Sequence, residues 1–155
     1  MEYGRYVVFI HVVSAVIWVG GMIAIRVAVH PSMLHIEDGK LRMARQLEIM
    51  ARLFRLVAPF VVLLLLTAVV MEVGLGLKAD PEAKVLATLK EGLWIVMTLN
   101  YLMMIYRRGK AQRLFLSGDQ SGAGAILRLI PHFMLPVNIA FGLIAVYFGV
   151  VLRGF

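Results

Sequence analysis

Four stretches of this chain are apolar for about the length of a lipid hydrocarbon core. They run from Tyr6 to about Val29, from about Val57 to Leu77, from about Thr88 to Tyr106 and from about Met134 to Leu152. A helix needs roughly 20 residues, at ~1.5 Å each, to cross a ~30 Å core. In lipid each backbone amide must find its partner within the chain, so a sequence of this kind has few choices beyond a bundle of helices. Charged residues make up only 16% of the 155 residues, and hydrophobic ones 61%. Soluble domains carry about 25% charged residues to solvate their surface. The pattern predicts an all-α integral membrane protein. Its four transmembrane helices form one bundle, a single domain over 1–155 with no internal repeat. The first run is too long for a signal-peptide core and lacks a small-residue cleavage site, so it is expected to be retained.

Between the first two spans lies "EDGKLRMARQLEIMARLFRLV" (37–57), in which Leu47, Met50, Phe54 and Val57 recur at helical spacing opposite Arg45, Arg52 and Arg55. This reads as an amphipathic helix that lies at the interface and leads into helix 2. A Gly/Ser-rich turn is expected at Ser117–Ala125, and a short polar loop at "GLKADPEAKV". Basic residues are uneven about the spans. Arg5, Lys78, Lys84, Lys90 and Arg153 fall on one side. Arg26, Lys40, Arg42, Arg45, Arg52, Arg55, Arg107, Arg108, Lys110, Arg113 and Arg128 fall on the other. The positive-inside rule then places both termini outside the cytoplasm, in a bacterial-type inner membrane. The net charge of +7 is accounted for by these loops and by anionic headgroups, with no nucleic acid needed.

Absent residues exclude much chemistry. Without cysteine there is no disulfide, iron–sulfur cluster, thiolate zinc site or covalent c-type haem. There is no P-loop, nucleophile elbow, His-Glu-x-x-His helix or Gly-x-Gly-x-x-Gly turn, which argues against hydrolytic and nucleotide chemistry.

The polar residues within the spans sort by depth. His11, Glu72, Lys90 and Tyr147 all fall in the outer third of the membrane, one from each helix. Ionisable groups at such depth face the bundle interior and pair with one another. One reading is a structural latch, a Glu72–Lys90 ion pair with His11 hydrogen-bonded nearby; the other is a ligand or proton site. His11, Ala15, Trp18 and Met22 make one helical stripe, with Gly20 and Gly21 beside it. Lys90, Trp94, Met97, Tyr101 and Met104 make another. Such stripes serve ordinary packing, but they are also the lining a flat macrocycle needs: an imidazole, a glycine gap, thioethers and rings.

On the other side, His30, His35 and His132 lie at or just beyond the ends of spans one and four, as interfacial anchors or metal ligands. Asn100 and Asn138 are placed to bond across helices. The ten methionines lack the regular spacing of a copper relay and include ordinary core gap-fillers.

The pattern His11, six residues, Trp18, two residues, Gly21, followed by Arg26 and His30, resembles the first helix of the HemJ-type protoporphyrinogen oxidases and the related copper-resistance D membrane domains. "TLKEGLWIVMTLNYLMMIYRR" (88–108), with Lys90 near its start, is similar to their third span. Length and span number agree as well. The entry to the fourth span departs: "LRLIPHFMLPVNIAF" keeps Arg128 but not the family's Trp and Asn-Glu. The resemblance implies haem b within the bundle, His11 as an axial ligand and an important Lys90.

Three functions are therefore expected. The first is a haem b redox protein that transfers electrons or oxidises a porphyrinogen, a haem-dependent oxidoreductase in the latter case. Its cofactor residues are His11, Trp18, Gly21, Lys90, Met97 and Tyr147, with Lys90 and Glu72 in catalytic roles. Met71 or Met97 would be the sixth ligand, and Lys90 or Arg5 would neutralise propionates. The second is copper handling through His11, Met71 and Met97, with an exit at His30, His35 and Met33. The third is a non-catalytic subunit of a larger membrane complex. A redox partner, a porphyrin substrate and self-association are the partners these imply beside the bilayer.

Overall fold

The computed structural model describes residues 2–74 and 81–152, except the side chains of Glu2 and Glu82. The end of the expected second span, the first half of the polar loop before span three (with Lys78) and Arg153 lie outside the described residues. Among those residues the chain is all-α, in four long helices: α1 (Tyr3–Met33), α2 (Gly39–Gly74), α3 (Pro81–Leu116) and α4 (Gln120–Val151).

Side-chain contacts fix the order in which the helices pack. His11 on α1 meets Thr67 on α2, while Gly21 meets Leu53. Trp94, Tyr101 and Arg108 of α3 bond the α2 carbonyls of Val61, Phe54 and Leu47 in turn. Asn100 on α3 bonds Asn138 on α4, and Gly142 of α4 closes the circuit against Val19 of α1. Along each pair the numbers run in opposite directions or return, giving an up-down-up-down four-helix bundle.

Three of the helices, α1, α2 and α4, are both long and apolar enough to cross a membrane. The expected third span lies in α3, which at 36 residues is long enough but carries Lys90, Glu91 and Asn100 within its apolar part. Large apolar side chains cover the outside of the mid-bundle, with Leu66 55%, Leu99 62% and Leu143 52% exposed. A soluble domain rarely shows so continuous an apolar exterior.

The amphipathic segment is not a separate element. Residues 39–74 form one unbroken 36-residue helix, about 54 Å long at 1.5 Å per residue. Leu47, Met50, Phe54 and Val57 are its buried face, as their spacing predicts. That face packs against protein, where Arg108 reaches the Leu47 carbonyl. Pro59 sits inside this helix and removes one backbone donor without ending it.

α1 and α4 contain widened π turns at Val16–Gly20, Ile25–Val29 and Ile130–Met134. The last two lie just before Pro31 and Pro136, whose rings and missing N–H groups the helix must accommodate. The Gly/Ser-rich stretch is mostly helix. Only Ser117–Asp119 turn, with Gly118 at φ +90°. Asp119 then caps α4 by accepting from the Gly122 amide at 2.8 Å.

Candidate functional site

The chemistry of the bundle gathers at the end of α1 that carries His11. Its ring Nδ1 lies 2.8 Å from Thr67 Oγ1. The threonine hydroxyl has one proton, and it donates back to the Leu63 carbonyl at 2.6 Å, with the Leu64 carbonyl at 3.2 Å. A mid-helix threonine is well suited to this, because its hydroxyl reaches the carbonyl one turn earlier. With that proton given to Leu63, Thr67 accepts from a His11 ring protonated on Nδ1, the tautomer that leaves the lone pair on Nε2. This is the tautomer of a metal-ligating histidine whose other nitrogen is held by the protein.

Lys90 stands on α3 at the same end. It is half-buried, and its ammonium lies against α4, 3.2 Å from where a side chain at Gly149 would begin. The ion pairs among the described residues join Glu48 to Arg45 and to Arg52. Lys90 has none, so the expected Glu72–Lys90 latch is not formed. Glu72 is half-buried on α2 and is engaged by another interaction. Met71 lies one helical turn beyond Thr67, on the same face of α2.

Other expected members do not join this group. Tyr147 is 64% exposed, with its ring 6.2 Å from that of its neighbour Phe148. The buried face of α4 runs through Leu135, Asn138 and Gly142. Five residues beyond Gly142, a helix has turned ~140° away. Trp18 is in the middle of the bundle, 2% exposed, edge-on to Tyr101 at 6.1 Å. The glycine gap beside it is closed, since a Cβ on Gly21 would stand 3.0 Å from Leu53 Cδ1. Trp18 and Gly21 are thus packing residues. The Trp18 indole N–H is buried without an acceptor among the described residues.

Met97 is also too deep. Its methyl group shares Gly142 with Val19, and Val19 lies eight residues along α1 from His11, about 12 Å at helical rise. Two ligands on one metal ion, each bound at ~2 Å, must come within about 4 Å of each other. Met97 and His11 cannot share an ion. The structure seats His11 on Thr67, with Met71 one turn further along the same face of α2 and Lys90 at the same end of the bundle, whereas Glu72, five residues past Thr67, is turned ~140° from that face.

At the opposite end, His30 and His132 meet edge to face, with ring centroids 5.4 Å apart. The His132 Nδ1–H donates to the Arg128 carbonyl at 2.8 Å. His35 is exposed in the turn after α1 and does not join them. Among the described residues no group of three or more His, Asp or Glu is arranged to hold a metal.

Sequence reasoning missed Thr67, Gly142 and Gly149. Thr67 was within reach, being the one hydroxyl in the second apolar run and at the depth of His11. The glycines carry no signal of their own until the partner helix is known. Comparison with family models, with curated proteins and with solved structures finds no match to this chain.

Proposed function

We propose that this chain is an integral membrane protein that binds haem b, with His11 Nε2 as an axial ligand and Lys90 paired to a propionate. The observation that carries this reading is the commitment of the Thr67 proton to Leu63. It makes His11 a donor through Nδ1 and frees Nε2 for a metal. A half-buried ammonium with no ion-pair partner among the described residues, in the same layer, supplies the cation that an acidic macrocycle requires. When bound, haem would supply one-electron redox chemistry, to which the protein adds ligation, orientation and a dry setting. The residues fit one axial imidazole. Met71, one turn beyond Thr67 on α2, is the methionine offered for the sixth position.

All four long helices are taken to cross the membrane, including α3 with its polar residues turned into the bundle. The basic surplus at the His30 end puts that end in the cytoplasm and both termini outside. A redox partner or a porphyrin substrate would then meet the protein near the outer surface. Optical spectra of detergent-purified, haem-replete protein, oxidised and dithionite-reduced, test the proposal. A Soret band lost in His11→Ala supports it, and colourless wild-type protein refutes it. Stoichiometric copper without haem would instead favour copper handling by His11 and Met71. Retention of all function after replacing His11, Glu72 and Lys90 would leave a structural subunit.

A further inference from the structure

The observations that reach furthest beyond the His11 site lie at the other end of α2 and α3. There the two helices part to leave an open groove of about 340 Å³. Its walls are apolar, from Leu47, Ala51, Phe115 and Leu116, while Arg52, Arg55 and Arg108 stand at its rim. Glu48 is the groove's one acid, and it is occupied by Arg45 at 3.0 Å and Arg52 at 2.7 Å. Arg55 and Arg108 have no carboxylate partner among the described residues.

Arg108 is held in place. Its Nε donates to the Leu47 carbonyl at 3.1 Å, which fixes the plane of the guanidinium and leaves its two terminal nitrogens free. Burial, and then the like charge of Arg55, both work to lower the Arg108 pKa below its ordinary value. Two uncompensated guanidinium groups close enough to repel call for an anion between them. Guanidinium forks match the paired oxygens of a phosphate, binding it in bidentate fashion.

Position narrows the source of that anion. Arg55 lies two residues before Val57, where the second apolar run begins, and Arg108 two residues after Tyr106, where the third ends. Both sit at the border between the apolar mid-bundle and its polar extension, the level of lipid phosphates in a leaflet. On the side of Arg55 that faces the apolar mid-bundle, Leu56 points outward and is 56% exposed, so an acyl chain leaving the headgroup there would lie along apolar surface.

We propose that this groove binds the phosphodiester headgroup of an anionic phospholipid from the cytoplasmic leaflet, clamped between Arg55 and Arg108. Basic pockets between helices at this depth are suited to such headgroups. The site rests on the membrane reading and is independent of haem, whose absorbance serves as a separate readout in the same samples.

The test is binding of phosphatidylglycerol to the detergent-purified full chain, followed by native mass spectrometry and by thermal unfolding. Phosphatidylcholine and inorganic phosphate serve as comparison probes. Phosphatidylglycerol should bind and stabilise, and Arg55→Gln/Arg108→Gln should weaken it by about tenfold or more. Lys110→Gln/Arg113→Gln removes the same charge from the same helix end but outside the groove, and should change affinity by less than about twofold. If the double variant does not fold, Arg55→Gln alone, which breaks no hydrogen bond, should still weaken binding by about threefold or more. Equal losses in both double variants would reduce the site to diffuse charge and overturn the proposal. Equal binding of inorganic phosphate, or of phosphatidylcholine, would overturn it as well.

Discussion

Asn100 and Asn138 join α3 to α4 through the middle of the bundle. Asn100 Nδ2 donates to Asn138 Oδ1 at 2.7 Å and to the Met134 carbonyl at 2.9 Å. Asn138 Nδ2 in turn donates to the Met97 carbonyl at 3.1 Å. Asn138 is fully buried, so its amide depends on Asn100 and the Met97 carbonyl for its hydrogen bonds. Interhelical hydrogen bonds in membrane proteins average ~0.6 kcal/mol, and leaving a buried group unsatisfied costs ~1–3 kcal/mol. Asn138→Leu, close in volume, removes one side and leaves Asn100 with the Met134 carbonyl alone of its two acceptors. It should destabilise the bundle by about 1–2 kcal/mol, measured by reversible unfolding in mixed micelles.

Glycine substitutions should separate close approach from open surface. A Cβ at Gly142 would come 2.6 Å from Val19 Cγ2 and 3.2 Å from Met97 Cε. Valine is stiff at χ1, so the helices must move apart. Gly142→Ala should cost about 1–3 kcal/mol. Gly92→Ala, with nothing within 4 Å and in a helix interior, should instead be neutral or stabilising by up to about 1 kcal/mol. The same unfolding assay compares the two.

Thr67→Val keeps shape while deleting the oxygen that receives the His11 proton. If His11 ligates haem, the loss of this outer hydrogen bond should weaken cofactor retention by roughly 10–100-fold without abolishing it. It should also raise the midpoint potential, because a less basic imidazole stabilises the ferric ion less. His11→Ala should remove the Soret band altogether. Identical cofactor loss in both variants, or none in either, would break the link between the two residues.

The Glu48 carboxyl is held below its ordinary value of 4.5 by hydrogen bonds from Arg45 and then Arg52. A depressed folded pKa means the pair's stabilisation is fully present above about pH 4.5. It fades as pH falls through the lower folded value. The pair is exposed and screened by salt, so its effect is small. In stability–pH curves, wild type and Glu48→Gln should differ near neutrality and converge in acid. Added salt should narrow the neutral gap.

Much of this arrangement can be read from residue order. The apolar runs mark the four helices, the Leu47-Met50-Phe54-Val57 spacing marks the buried side of α2, and two asparagines at matched depth find each other. What resists reading depends on phase and on partner. No breaker separates residues 39–56 from the apolar run that follows, so the amphipathic piece and the span fuse into one rod, and Pro59 is carried along. Gly122 and Gly124 look like loop residues, yet Asp119 caps the first and the Met43 methyl group packs against the second at 3.4 Å from its virtual Cβ. Depth alone suggested Tyr147 as a neighbour of His11. Depth with phase excludes it. Met97 fails for the opposite reason: its face is right, but it lies some 12 Å too far along the axis.

The continuity of α2 has a consequence for how the protein would present itself to its surroundings. A rod of about 54 Å spends only ~30 Å crossing a hydrocarbon core. The remaining third or more would stand clear of the lipid beside the equally long α3 and the first turns of α4, as a helical stalk bearing arginines from α2 and α3. An acidic soluble visitor would be drawn to that stalk, and its approach would slow as ionic strength rises.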